Sequence, residues 1–175
     1  ISSAFNRNPS FVVAAVFPWG GSGGHTRYLR RTENAGAVDV SQVVLYLVTA
    51  VIFLGADVVW IKLYVRQLFE THVNDLLLEE FRAGPAIGFY ALYVVGMLYF
   101  ASAAGLAGKP LTKVAMDAAI FGFFCYGTYA ATNYATLKGW HPQMVASDLF
   151  WGTVATAISA VLGVIITRSI MGSNA

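Results

Sequence analysis

Cysteine is almost absent. Cys125 is the single one in 175 residues, so the chain can neither close an internal disulfide nor hold an iron–sulfur cluster. Charge is scarce too: Asp, Glu, Lys and Arg together make up 11% of the residues, and the formal net charge is only +2. Scattered charges of this kind exclude a nucleic-acid surface, which needs a concentrated basic face to neutralise phosphates. The three histidines, His25, His72 and His141, fall outside the long apolar runs, so none is placed to ligate haem or chlorophyll inside a membrane. No HExxH, GxSxG or paired His/Cys spacing occurs, which removes the common zinc-enzyme and hydrolase motifs. The glycine-rich PWGGSGGH of Pro18–His25 lacks the Lys-Ser/Thr pair of a phosphate loop and reads as an extended or looped tail. These absences lead to the expectation of a chain with no cofactor, no metal and no catalytic role.

What the sequence has in excess is apolar surface. Hydrophobic residues account for 57% and aromatic ones for 14%, with a mean hydropathy of +0.62, more than one soluble core of this length would bury. Four apolar spans approach the roughly 20 residues that a helix needs to cross a bilayer: about Val43–Ile61, Ala86–Ala107, Val114–Thr136 and Val145–Ile166. Helices are favoured over strands because the apolar residues continue without a two-residue alternation, and a helix satisfies its own backbone in lipid. The fold expected is an all-α integral membrane four-helix bundle. Between the first two spans, IKLYVRQLFETHVNDLLLEEF keeps Val65, Leu68, Phe69, Val73, Leu76 and Leu77 at helical spacing and predicts an amphipathic helix bending along the interface. The Gly84-Pro85 pair then restarts the chain into span two. The domain division is thus an extension over 1–42, a four-span domain over 43–169 and a short tail over 170–175.

The extension carries Arg7, Arg27, Arg30 and Arg31 among serines, has no acidic residue before Glu33, and begins on Ile1 rather than methionine. That flavour fits a segment bordering an organellar transit peptide, with an ordinary basic tail as the alternative. Four spans put both termini on one side, together with Lys109, Lys113 and Arg168; Lys62, Arg66, Arg82 and Lys138 fall on the other. The positive-inside bias places the termini in the cytosol, matrix or stroma.

Small residues recur at every fourth position within the spans: Gly127, Ala131 and Ala135 in the third, and Gly152, Thr156 and Ala160, or Ala155, Ser159 and Gly163, in the fourth. Such stripes let helix backbones approach closely and predict packing seams, within the bundle or against a partner. Trp60, Tyr64, Trp140 and Trp151 lie near span ends and predict an interfacial aromatic belt. Asp57, Asn133 and Asp148 fall at similar depth on the side opposite the termini. A carboxylate at that depth costs roughly 2.5–3.5 kcal/mol at a helix centre, so it should turn inward and find donors. Tyr126, Thr128, Tyr129, Thr132 and Asn133, all within the unusually polar YGTYAATNYATLKGW of residues 126–140, are the donors expected. The cluster reads either as interhelical hydrogen bonding that fixes register, the preferred expectation, or as a proton or solute site.

GADVVW at Gly55–Trp60, PAIGFYALYVVG at Pro85–Gly96, YGTYAATNYATLKGW at Tyr126–Trp140 and SDLFWGT at Ser147–Thr153 carry a family resemblance. The pattern resembles the small bacterial integral-membrane family known as domain of unknown function 2177, over roughly residues 43–169. Where that family typically reads YDLTN, this chain has Tyr129-Ala130-Ala131-Thr132-Asn133, so an acid is missing beside Asn133. The resemblance and its departure imply an ancestral activity lost while the fold was kept. With the basic extension, they imply an accessory subunit of a large organellar membrane complex, in contact with other membrane subunits and lipids. A mitochondrial respiratory assembly in the inner membrane is expected ahead of a plastid photosystem. The rival is a small independent transporter or membrane enzyme that uses Asp57 and Asp148.

Overall fold

The computed structural model describes residues 39–172; the first 38 residues of the N-terminal extension and the last three of the tail lie outside the described residues. Four long helices follow one another: α1 (Val40–His72), α2 (Ala83–Leu106), α3 (Leu111–Thr136) and α4 (Pro142–Gly172). No strand occurs among the described residues. All four helices are long and apolar enough to cross a membrane. The all-α membrane bundle expected from composition is therefore the fold observed.

The ends of the helices follow from local chemistry. Asp39 caps α1, its carboxylate accepting from the Ser41 backbone N–H at 3.0 Å, so the helix starts three residues ahead of the apolar run that announced it. Nor does α1 stop where that run ends: it passes through a π-helical turn at Ile61–Val65 and continues over Arg66–His72. The amphipathic stretch is therefore helical as its spacing predicts, but continuous with span one. Leu68 and Val73 are buried and Phe69 half-buried, while Leu76 and Leu77 lie beyond α1 and are exposed. Pro85 sits in the first turn of α2, where a missing N–H costs nothing. A second π-helical turn, Leu98–Ser102, interrupts α2 near its end.

The connection between α3 and α4 depends on Gly139, whose φ of +84° disfavours any side chain. A Cβ there would also lie 2.6 Å from the His72 carbonyl oxygen, so the connection is pressed against the end of α1. His141 caps α4 through Nδ1, which accepts from the Gln143 N–H at 3.2 Å, and Pro142 takes the first helical position. At the opposite end of the bundle, Arg168 donates to the Gly105 carbonyl at 2.5 Å, meeting the carbonyl-rich end of α2 with a cation.

Helix α4 is the centre of the bundle, because both of its small-residue stripes are in use. Gly152, Thr156 and Ala160 are buried; Gly152 lies under Tyr126, and Gly122 of α3 meets Thr156. Ala155, Ser159 and Gly163 are buried as well, with Gly163 against Thr49 and Leu45 of α1. The two stripes offered as alternatives by the sequence thus serve two neighbours. Between lipid-solvated helices no hydrophobic force drives association, so this close backbone approach supplies the attraction through dispersion.

The stripe expected on α3 is used only in part within the bundle. Gly127 is half-buried and packs on Leu149, but Ala131 and Ala135 are exposed. Each four-residue step turns about 40° around a helix of 3.6 residues per turn, so a long stripe drifts off a single contact. The seam on α3 instead uses Val114, Ala118 and Gly122, all buried, one or more turns earlier.

Candidate functional site

The half of the bundle that carries the α1–α2 and α3–α4 connections holds a cavity of about 550 Å³. All four helices line it, and eight of its fourteen lining residues are aromatic. Two carboxyl groups, Asp57 from α1 and Asp148 from α4, belong to the same lining. The sequence expectation that both turn inward at one depth is the arrangement observed: Asp57 is 3% exposed and Asp148 8%.

The two acids differ in their partners. Asp57 receives three donors from three helices. The Trp151 indole N–H reaches Oδ1 at 2.8 Å, the Tyr126 hydroxyl reaches the same oxygen at 3.4 Å, and the Tyr90 hydroxyl donates to Oδ2. This carboxyl group therefore ties α1 to α2, α3 and α4 at once, and burial makes each of those bonds costly to lose. Asp148 lacks such a set. Its Oδ2 is buried with no hydrogen-bond partner among the described residues.

Several expected donors do other work. Thr128 lines the cavity, but its hydroxyl donates to the Phe124 carbonyl at 2.7 Å. Thr132 donates to the Thr128 carbonyl at 2.6 Å and is exposed, so it is not part of the cluster. A threonine in a helix has its own preceding carbonyl within reach, and that local bond removes the need for a partner across the bundle. Tyr129 lines the cavity and meets Trp140 edge-on at 5.6 Å, while Asn133 is half-buried one turn beyond it. Tyr126 alone of the expected set donates to Asp57.

Of the four residues expected in an aromatic belt, Tyr64 lies beside Trp60 and its hydroxyl accepts from Gln143 Nε2 at 3.1 Å, while the three tryptophans pack into the bundle. Trp60 and Trp151 stack at 4.5 Å with ring planes 3° apart, and both line the cavity. Trp140 is 8% exposed and packs edge-on against Phe69 at 5.3 Å. Only Trp151 gains a carboxyl partner by turning inward; Trp60 stacks on it, Trp140 packs on Phe69 and Tyr129, and the indole N–H groups of Trp60 and Trp140 have no hydrogen-bond partner among the described residues. Tyr90 and Trp151 are the donors that reasoning from the polar stretch missed. A signal existed: Trp151 follows Asp148 by three residues, which places a cavity-facing indole beside a cavity-facing acid.

Fold and site together define a four-span helical membrane protein with a donor-bound carboxyl group at the junction of its helices. The family model described as "Predicted membrane protein (DUF2177)" matches residues 42–165, and the chain belongs to that family. No curated protein and no solved structure matches the chain.

Proposed function

We propose that this protein binds a small solute between its helices, within the thickness of the membrane. The observation that carries this reading is a cavity of about 550 Å³ whose lining includes Asp148, a buried acid whose Oδ2 has no hydrogen-bond partner among the described residues. Ligand sites are commonly of this size, mostly apolar, and furnished with a few polar groups that fix orientation. Asp57 frames the site and Asp148 meets the solute. Cys125, the single cysteine of the chain, supplies the test because it lines the same cavity. A bound solute should slow its reaction with N-ethylmaleimide in nanodisc-embedded protein, in a saturable manner. If 2-phenylethylamine, 3-phenylpropan-1-ol and 3-phenylpropionate all leave the labelling rate unchanged, the reading fails.

A second reading is the non-catalytic accessory subunit of an organellar complex, in the mitochondrial inner membrane or else a thylakoid, with both termini on the matrix or stroma side. Ala130 favours it: where the resemblance places an acid, this chain has a methyl group that is 0% exposed. Packing has replaced a titratable group at that position. Under this reading the protein co-migrates with a large assembly on a native gel of its source membrane. Migration only as a monomer or small oligomer would discard it.

A further inference from the structure

We infer that the solute is a protonated primary or secondary amine carrying an apolar body, held by Asp148 against the aromatic wall. This deepens the binding reading above and rests on it. Three observations select the class.

The first is charge. Among the described residues, the cavity lining contains two carboxyl groups and no Lys, Arg or His. The ion pairs formed elsewhere, Arg66–Glu70 and Lys113–Asp117, leave both cavity acids without a cation from the described residues. A buried acid in a poorly solvated site favours a ligand that brings positive charge, and an anionic ligand would be repelled by the same pair.

The second is hydrogen bonding. Asp57 is already met by Trp151, Tyr126 and Tyr90, whereas Asp148 Oδ2 has no partner among the described residues. An acceptor of this kind calls for a donor, and an ammonium N–H forms a short charge-assisted bond to a carboxylate. A quaternary ammonium has the charge but no N–H, so the geometry distinguishes the two.

The third is the wall. Trp60 and Trp151 stack face to face, and Tyr129 stands on the α3 side of the same lining. Aromatic faces carry negative quadrupole density that attracts a cation, and they present apolar area to the remainder of the ligand. The volume of about 550 Å³ accepts a ring with a short side chain.

The test measures protection of Cys125 from N-ethylmaleimide in nanodiscs with uncharged lipid headgroups. It compares 2-phenylethylamine at a pH where it is protonated, its N,N,N-trimethyl derivative, 3-phenylpropan-1-ol and 3-phenylpropionate. The amine should protect at concentrations at least tenfold below the other three. Asp148→Asn should weaken amine protection at least tenfold while leaving the neutral alcohol within about twofold. Comparable protection by the alcohol, the carboxylate or the trimethyl compound overturns the amine class but leaves a binding pocket in place. No protection by any probe overturns pocket and class together. The ranking among probes on the unsubstituted protein decides the matter even if Asp148→Asn does not fold.

Discussion

At the residue scale, Asp57 is the side chain on which most of the polar architecture converges. Its three donors come from α2, α3 and α4, so removing one leaves a buried acceptor short of a partner rather than deleting a surface contact. Trp151→Phe keeps a ring against Trp60 but removes the 2.8 Å bond to Oδ1. A loss of about 0.5–1.5 kcal/mol is expected, the usual net worth of one hydrogen bond, because Tyr126 still donates to the same oxygen; denaturant unfolding in a non-ionic detergent measures it. Tyr129→Phe touches no bond to Asp57 and should cost less. Equal stability of Trp151→Phe and the unsubstituted protein would mean that Asp57 is not a structural hub. The inward acids themselves were legible in the sequence, because lipid has no other place for a carboxyl group. Their partners were less so: a polar stretch advertises donors, but Thr128 and Thr132 can satisfy themselves on their own helix.

At the element scale, the four spans could be read from hydropathy because bilayer thickness sets their length, whereas the faces they share could not. The stripe of Gly152, Thr156 and Ala160 and the stripe of Ala155, Ser159 and Gly163 look equivalent in sequence, and only the packing shows that α4 uses both. The same logic does not separate Gly127 from Ala131 and Ala135, which have no neighbour within the described bundle, since spacing alone does not say where along a helix a neighbour leaves it. This asymmetry yields a pair of predictions. At Gly152 an added Cβ would sit 2.6 Å from Tyr126 Cβ, so Gly152→Ala must separate α3 from α4 and should cost about 1–3 kcal/mol. Ala131→Leu, on an exposed face, should stay within about 0.5 kcal/mol. Thermal unfolding of the two variants in one detergent checks the contrast, and a reversed order would place the seam on the wrong face of α3.

At the scale of the whole molecule, the helices alternate in direction, which separates two chemically different ends. One end carries Lys109 in the α2–α3 connection and Arg168 on α4, where the arginine bonds Gly105. The other, the cavity end, carries Lys138 in the α3–α4 connection and the stacked imidazoles of His72 and His141, whose centroids are 4.4 Å apart. Basic residues flank both ends of the described bundle, so the expected placement of the termini on the matrix or stroma side draws on the arginines of the extension, where the positive-inside rule is weaker. A labelling experiment separates the alternation from the orientation. In a Cys125→Ala background, Lys109→Cys and Lys138→Cys introduce single thiols at opposite ends of α3. In sealed vesicles of one known orientation, a membrane-impermeant maleimide should modify one of them from outside and the other only after permeabilisation. Modification of Lys138→Cys from the face opposite the matrix or stroma supports the proposed orientation; modification of Lys109→Cys there reverses it and leaves the fold untouched. Modification of both from the same face would break the alternation itself, and with it the convergence of α1, α2, α3 and α4 on Asp57.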